Sequence, residues 1–172
     1  MALRKIIDYP DRVLRAKAAE VTAFDATLQA LAEDMLESMY DANGIGLAGN
    51  QVGELQQIFV MDCADRDAPR TPKVMVNPHV IWSDENQSNS EEGCLSFPEQ
   101  YADVTRFEKV EVKFQDVSGN WNTEHLEGLQ ARCAQHEIDH LNGILFIDRC
   151  SLLKRRMIVR RMNKLRRLHS SG

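Results

Sequence analysis

The sequence predicts one domain, residues 1–172, that combines helices with strands. Helices are predicted at about 25–41, 127–142 and 151–168. Several segments between them show the apolar–polar alternation that is typical of strands. A chain of 172 residues is also long enough to bury a sizeable core within one domain.

The composition is that of a soluble globular protein, with 43% hydrophobic and 27% charged residues. The longest apolar runs are far shorter than a membrane span, and no signal-like apolar region follows the amino terminus. The four cysteines lack paired spacing, which is typical of reduced thiols rather than a disulfide framework. We therefore expect a cytoplasmic protein that does not bind membranes.

The first helix is predicted from about Asp25 to Asp41, with Asp25 as its N-cap. Its apolar residues recur at helical spacing and are interpreted as core packing. They are Leu28, Leu31, Met35, Leu36, Met39 and Tyr40.

A glycine-rich loop, Gly44 to Gln51, follows this helix. It lacks the Lys-Ser/Thr ending of a P-loop, and no strand leads into it as a dinucleotide site would require. Two interpretations remain open. The loop is either a tight connection from helix to strand, or a strip of backbone that lies against an extended ligand with the Gln51 amide at its end.

Strands are predicted at about 56–62, 73–77, 79–83, 107–116 and 121–126. The polar stretch Trp82–Asn89 is predicted to be a loop, and Leu145–Ile147 a short strand or a plug in the core. The helix at 127–142 is expected to end at Gly143.

The last predicted helix, 151–168, is amphipathic. Its apolar side is expected to contain Leu152, Leu153, Ile158, Met162 and Leu165. It also carries eight Lys or Arg residues and no acid, although the whole chain has a net charge of −5. This basic face is either a solvated surface docked on an acidic body, or a contact for an RNA-rich partner that reads no base sequence.

His136 and His140 form a His-Glu-x-x-His pattern with Glu137 inside the second predicted helix. Residues four apart lie on one helix face, about 6 Å apart along the axis, so two imidazoles can hold one metal ion. Glu137 lies beside that face, where it can handle a proton of a metal-bound water. Chance would produce this pattern in roughly one such chain in a hundred, which favours a metal site.

The third ligand decides the reaction class. Metalloproteases with this motif use either a His six residues after the second His, where this chain has Phe146, or a downstream Glu, which is absent from Leu141 to Gly172. Asp148 is interpreted as a loop acid and His169 as part of a frayed tail. The ligand is therefore expected upstream of the motif.

The upstream candidates are Cys63, Cys94, His125 and Cys133. Cys133 lies about 10.5 Å along the helix from His140, which is too far for one ion. Cys63 ends an apolar run and is interpreted as a core or strand-end thiol. His125 stays a candidate, although it lies in a charged segment that is typical of a surface histidine. Cys94 is the better candidate because Gly93 before it lets the backbone approach closely.

Three motifs resemble those of bacterial-type peptide deformylases, in the same order and over essentially the whole chain. They are Gly44-Ile45-Gly46-Leu47-Ala48-x-x-Gln51, Glu92-Gly93-Cys94-Leu95-Ser96 and His136-Glu137-Ile138-Asp139-His140. The resemblance implies an α+β fold in which antiparallel sheets surround the metal-binding helix. It implies a hydrolase that removes the N-formyl group from the initiator methionine of nascent polypeptides.

The resemblance also implies roles for individual residues. Cys94, His136 and His140 would bind one divalent metal with water as the fourth ligand, and Glu137 would be the catalytic acid and base. The metal in such proteins is usually Fe²⁺, although Zn²⁺, Ni²⁺ or Co²⁺ can replace it. The expected partners are N-formylmethionyl nascent peptides, with ribosome docking through the basic helix.

The same resemblance assigns the substrate contacts. The side-chain amide of Gln51 and the backbone N–H of Leu95 would stabilise the negative charge that grows on the formyl oxygen. The stretch at Gly46 would hold the peptide backbone by β-type hydrogen bonds. The methionine pocket would be lined by Ile45, Leu129 and Cys133, with the apolar part of His136.

The chain departs from the usual pattern at two places. Gly49-Asn50 replaces Ala-Pro before Gln51, which is expected to loosen this loop and to weaken oxyanion stabilisation or change substrate preference. Tyr101 stands where many such proteins have Arg, a difference interpreted as one of specificity. Arg106 matches a commonly basic position and is expected to pair with an acid near the site.

Two other functions stay open on the sequence alone. A zinc metallopeptidase is disfavoured by Phe146 and by the missing downstream Glu. A non-enzymatic relative would keep the metal and use its basic tail to bind a ribosome or RNA, and only the changed glycine loop supports it.

Overall fold

The computed structural model of the protein describes residues 2–170. The helices are α1 (Ala26–Asp41), α2 (Gly128–Leu141) and α3 (Leu152–Ser170). The strands are β1 (Gly46–Ala48), β2 (Ile58–Met61), β3 (Lys73–Ser83), β4 (Gln87–Cys94), β5 (Phe97–Phe107), β6 (Lys109–Gln115) and β7 (Trp121–Glu127). Short 3₁₀ turns occupy Arg12–Arg15, Gly49–Val52 and Phe146–Asp148. Within residues 2–170, none of the helices combines the length and apolar content that crossing a membrane requires.

Two antiparallel sheets enclose α2. The larger has five strands in the order β1-β2-β3-β6-β7, and the smaller consists of β4 and β5. One side of α2 packs Ala131, Cys133 and Ala134 into a core formed with β2, β3, β6 and β7. Helix α2 also contacts β5 of the smaller sheet. The predicted α+β fold, with antiparallel sheets around the motif helix, is confirmed.

Helix α1 begins where the sequence predicts. The side chain of Asp25 accepts a hydrogen bond from the backbone N–H of Leu28 at 3.1 Å, which satisfies a free donor of the first turn. Four of the six apolar residues in the predicted stripe are buried, namely Leu28, Leu31, Met35 and Met39. They pack on β2 and fix the helix that leads into the glycine-rich loop.

Strand β3 is one strand where the sequence predicts two. Asn77 has a φ of +49° just before Pro78, and the pairing with β6 shifts between Val76 and His79. A bulge of this kind bends a strand without ending it, and it accommodates a proline that cannot donate to the ladder.

The predicted loop at 82–89 is wrong for most of its length. Strand β3 continues to Ser83 and β4 begins at Gln87, so only 84–86 connect them. Strand β4 is polar and largely exposed, so it lacks the alternation that marks a half-buried strand. Its hydrogen bonds to β5 define it instead.

Leu145, Phe146 and Ile147 are buried and fill the core below the smaller sheet, as predicted for a plug, but they form no strand. In α3, Ile158 and Met162 are buried, whereas Leu152 and Leu153 are 60% and 72% exposed. The expectation that these two leucines belong to the packed side is wrong. They precede Ile158 by six and five residues and so lie more than about 100° around the helix axis from it.

Helix α2 ends at Leu141, two residues before the predicted glycine. Asn142 is its C-cap, and Gly143 follows with a φ of +75°. A Cβ at Gly143 would lie 2.5 Å from the carbonyl oxygen of Arg15. Gly143 is therefore required both by its left-handed backbone and by the close approach of the N-terminal segment.

We predict that Gly143→Ala lowers the free energy of unfolding by about 2–3 kcal/mol, because it adds a backbone clash to the strain of a positive φ. The matched control is Gly128→Ala. Gly128 also has a positive φ, of +58°, but a Cβ there meets nothing within 4 Å, so it should cost only about 1 kcal/mol. Urea unfolding measures both changes, and equal losses in the two variants would show that the Arg15 contact contributes nothing.

Candidate metal centre and catalytic cleft

The structure brings the three predicted metal ligands together. Cys94 lies at the end of β4, and His136 and His140 lie one turn apart on α2. The Cys94 Sγ is 3.4 Å from His140 Nε2, which is 3.2 Å from His136 Nε2. The three donor atoms lie within 4.8 Å of one another.

These distances fit one divalent ion. Bonds of about 2.0–2.3 Å in a tetrahedral arrangement place neighbouring ligand atoms roughly 3.3–3.6 Å apart. One thiolate and two imidazoles are a donor set that suits Zn²⁺ or Fe²⁺. This cluster contains neither Cys133, which helix geometry excludes, nor His125, which the sequence leaves as a candidate.

A local irregularity places Cys94. The pairing of β4 with β5 shifts between Gly93 and Cys94, so the strand bends as it reaches the helix. A Cβ on Gly93 would lie 2.8 Å from the ring of Tyr101 on the opposite strand. Glycine therefore lets the Tyr101 ring lie against the backbone next to the ligand.

A buried carboxylate orients His136. The Nδ1–H of His136 donates to Glu92 at 2.9 Å, which leaves Nε2 free to face the other ligands. Glu92 also accepts hydrogen bonds from Arg106 at 2.8 Å and from Arg132 at 2.6 Å. Arg106 reaches Asp139 at 2.6 Å, so its predicted pairing with an acid near the site is confirmed.

The electrostatics around the two imidazoles differ. Burial alone would lower the pKa of His136, but contacts with Cys94, Glu137 and Glu92 raise it well above its ordinary value. Burial lowers the pKa of His140 well below the usual value, so this ring is neutral and able to donate a lone pair. Burial would raise the pKa of Glu92, but Arg106 and His136 hold it below its usual range. The surroundings therefore favour a positive charge beside the ligand atoms.

Glu137 lies beside the ligands with only 3% of its surface exposed. Burial raises its pKa from 4.5 to about 7. Its Oε1 atom has no hydrogen-bond partner among the described residues, and its Oε2 lies so close to Gly46 that a Cβ there would clash with it. A carboxyl group with a pKa near neutrality can both accept and return a proton.

Gln51 is aimed into the same site. Its Oε1 accepts a hydrogen bond from the backbone N–H of Ala48 at 2.9 Å. Its Nε2 donates to the Ser96 hydroxyl at 3.0 Å and lies 3.5 Å from Cys94 Sγ. Both ends of the amide are therefore oriented by neighbours within the glycine-rich loop and the cysteine motif.

A cavity of about 560 Å³ adjoins these groups. It is lined by the predicted substrate residues Ile45, Gly46, Leu129 and Cys133, and by Gln51, Leu95, Cys94, His136 and Glu137. His140 lies deeper and is not part of the lining. Leu129 is 52% exposed at the mouth, whereas Cys133 is buried and lies 3.6 Å from the Ile45 carbonyl oxygen. Next to the cavity, β1 is an edge strand of the larger sheet.

Sequence reasoning missed several of the supporting residues. It assigned no role to Ser96, whose hydroxyl accepts a hydrogen bond from the Gln51 amide, or to Arg132, which donates a hydrogen bond to Glu92. The available signal was chemical, since a buried acid such as Glu92 requires a basic partner. Tyr101 lines the cavity but is 54% exposed, and its effect on specificity stays a prediction.

The glycine-rich loop is more constrained than its composition indicates. A Cβ on Gly49 would lie 2.6 Å from the carbonyl oxygen of Glu54. Asn50 is fully buried, and its amide donates to the carbonyl oxygen of Ala16 at 2.8 Å. The expected loosening is therefore not what the packing shows, because tertiary contacts replace the rigidity of Pro. The expected change in activity stays a prediction.

Comparisons with known proteins agree with this geometry. The sequence model of the family described as polypeptide deformylase matches residues 3–156. A peptide deformylase from Mesorhizobium japonicum is 47% identical over 172 residues, covering 100% of this chain and 98% of that protein. The crystal structure of a peptide deformylase from Legionella pneumophila is similar with a TM-score of 0.89, 45% identity and 99% coverage of both chains. That of the Thermotoga maritima enzyme has a TM-score of 0.83 at 43% identity, covering 88% of this chain and 99% of that one.

We predict that Glu137→Gln stabilises the metal-free protein, prepared with a chelator, at neutral pH. The folded pKa of about 7 exceeds the ordinary 4.5, so the folded state binds more protons between these values and loses stability as pH rises. A shift of this size amounts to about 3 kcal/mol, which glutamine would recover above about pH 7. Urea unfolding from about pH 4 to pH 8 measures this.

The exposed residue Glu85 supplies the control variant, Glu85→Gln, which should follow the parent at every pH. If the Glu137→Gln and parent stability curves stay parallel across this range, burial does not raise the Glu137 pKa.

Proposed function

The chain belongs to the polypeptide deformylase family, and on that premise we propose how its own residues, acting in one catalytic domain, carry out the reaction. The protein is a metal-dependent hydrolase that removes the N-formyl group from the initiator methionine of newly made polypeptides, releasing formate.

Cys94, His136 and His140 hold one divalent ion, and Fe²⁺ is the ion proposed for the cell, with Zn²⁺, Ni²⁺ or Co²⁺ as substitutes. This ligand set is supported by the 3.4 Å and 3.2 Å separations of the donor atoms and by the anionic surroundings of His136. When bound, the ion supplies Lewis acidity that activates a water molecule and polarises the formyl carbonyl. Glu92 and the arginines around it keep His136 in the orientation and tautomer that such an ion needs.

Glu137 is the general base and then the general acid. It accepts a proton from the attacking water and returns it to the amine that leaves as the C–N bond breaks. Its pKa of about 7 suits both steps near neutral pH. The unpartnered Oε1 leaves one carboxylate oxygen available for this proton, since no described residue occupies it.

Gln51 and Leu95 stabilise the oxyanion. As the formyl carbon becomes tetrahedral, negative charge collects on its oxygen and requires donors that are already in place. The Gln51 Nε2 lies 3.5 Å from the Cys94 sulfur, and its orientation is held by Ala48 and Ser96. Leu95 follows Cys94 directly and lines the same cavity, which supports its backbone N–H as the second donor.

The substrate peptide lies along the free edge of β1 at Gly46 and pairs with it as an added strand. The methionine side chain enters the apolar part of the cavity between Ile45, Leu129 and Cys133. Leu129 and Cys133 are one helical turn apart on α2, so they form one wall of this pocket. No group on this wall carries a full charge, which suits a thioether side chain.

We also place the protein in the cytoplasm, where it docks on the ribosome through α3. Seven of the eight basic side chains between 151 and 168 are exposed, and Lys154 is half-buried. The apolar side of α3 is anchored by Ile158 and Met162, so the basic side faces outward. Such a surface attracts the phosphates of ribosomal RNA without reading a base sequence.

One observation carries the enzymatic proposal: the Cys94 thiol completes a cluster with the two motif histidines, and Glu137 lies beside that cluster in a cavity. A metallopeptidase would take its third ligand downstream, where Phe146 is instead packed in the core.

We predict that the protein releases formate from formyl-Met-Ala-Ser, and that Glu137→Ala lowers kcat by about 10²–10⁴-fold because the proton carrier is lost. Gln51→Ala should lower kcat by about 10²–10³-fold with a smaller change in KM. Glu85→Ala, in the exposed turn after β3, is the control and should match the parent. Formate is measured with the bound metal quantified in every variant.

Cleavage of an internal peptide bond instead would identify a peptidase. A parent protein that retains its metal but releases no formate would identify a non-enzymatic relative.

We predict that a variant with three reversed charges on the exposed side of α3 no longer cosediments with ribosomes, while its kcat on the free peptide is unchanged. The variant combines Arg156→Glu, Arg160→Glu and Lys164→Glu. The matched control reverses three exposed charges elsewhere, at Lys5, Lys17 and Arg66, and should still cosediment. Binding by the parent should weaken as salt is raised. Equal sedimentation of the α3 variant and the parent would refute docking through α3.

A further inference from the structure

The N-terminal segment 7–18 makes backbone hydrogen bonds to the glycine-rich loop, to the cysteine motif and to the helix that carries the two histidines. The Ile7 N–H donates to the carbonyl oxygen of Gln51 at 2.7 Å, and the Tyr9 N–H donates to that of Ser96 at 3.0 Å. The Ala18 N–H donates to the carbonyl oxygen of Leu141, at the end of α2, at 2.9 Å. The glycine-rich loop, the cysteine motif and the metal-binding helix therefore share one support.

Asn50 adds the only side-chain bond that we find between the glycine-rich loop and this segment, within residues 2–170. Its Nδ2 donates to the Ala16 carbonyl oxygen at 2.8 Å from a fully buried position. One residue earlier, the Arg15 carbonyl oxygen lies against Gly143, where a Cβ would approach to 2.5 Å. Residues 15–18 thus lie directly between Asn50 and the end of α2.

We propose that Asn50 is a positioning residue for deformylation: by binding Ala16, it holds the turn that carries Gln51 at a fixed distance from the metal ligands on α2. The proposal rests on the oxyanion role proposed above for Gln51. Asn50 itself is not a member of the metal cluster and does not line the cavity.

The local backbone explains why an anchor is needed at this position. Gln51 lies in a single 3₁₀ turn, Gly49–Val52, which accepts backbone bonds from Gly53 and Glu54 at its own end and one bond, from Ile7, to the Gln51 carbonyl oxygen. Such a turn is short and has few internal bonds to fix its orientation. An oxyanion donor acts only if it is already in place, and a shift of about 1 Å can cost a large part of the rate. A proline at position 50 would stiffen the turn but could not bind Ala16.

The chain contains a matched asparagine that lacks this connection. Asn77 is also buried, and its Nδ2 donates to the carbonyl oxygen of Val21 at 2.9 Å, tying the N-terminal part of the chain to β3. Asn77 does not line the cavity. Replacing either asparagine by aspartate removes the amide donor and keeps the shape of the side chain, so both variants should lose stability. Only the change at position 50 should alter the position of Gln51.

The test is a double-mutant cycle on the metal-loaded protein, with kcat and KM for formyl-Met-Ala-Ser and with metal content measured for each variant. We expect Asn50→Asp to lower kcat about tenfold while KM changes less than about twofold, and Asn77→Asp to leave kcat within about twofold of the parent. With Gln51→Ala already present, Asn50→Asp should lower kcat by no more than about twofold further, because its effect passes through the missing amide.

The outcomes separate this inference from the function it rests on. If Gln51→Ala leaves kcat unchanged, the oxyanion role of Gln51 is wrong and the positioning role falls with it. If Gln51→Ala lowers kcat but Asn50→Asp does not, or if the two losses multiply in the double variant, only the role of Asn50 is wrong. An equal loss of kcat in Asn77→Asp would also overturn it. Should Asn50→Asp fail to fold, Asn50→Ala, which also removes the donor, takes its place in the same cycle.

Discussion

The whole site depends on bringing a thiol from a strand to two imidazoles on a helix that lies between two sheets. Cys94 belongs to the smaller sheet, and α2 packs its apolar side on the larger one. Glu92 joins the two elements, because it binds His136 on α2 and Arg106 on β5. A buried network of this kind is stable only when every charge keeps its partner, so the ligands, the acid and the arginines form a single unit.

Burial then sets the chemistry of each group in the site. The same removal of water raises the pKa of Glu137 to about 7 and keeps His140 neutral, while contacts with Cys94, Glu137 and Glu92 outweigh it and raise the pKa of His136. One buried pocket therefore contains Glu137 as a base, His140 as a neutral ligand, and a position at His136 that favours positive charge. The edge of β1 and the cavity beside it add a surface on which an extended peptide can lie.

Local patterns predicted the helices and the two motif histidines, because helical spacing and capping are properties of neighbouring residues. Cys94 emerged only as the best of several candidates until the family resemblance was considered. The polar strand β4 was missed and the bulged strand β3 was predicted as two strands, because the hydrogen bonds that define them lie across the sheet. The hydrogen bond from Asn50 to Ala16 joins residues 34 positions apart, so no local sequence pattern predicts it. Composition alone indicated a loose loop there.

X-ray absorption spectroscopy at the metal edge, on protein purified without air, tests the central claim most directly. We expect one metal ion per chain, iron in the protein as isolated, with one sulfur at about 2.3 Å and nitrogen or oxygen ligands at about 2.0–2.2 Å. Cys133→Ser should leave that sulfur in place, whereas Cys94→Ala should remove it together with formate release. A sulfur-free ligand shell in a parent protein that is fully loaded and active would contradict the account.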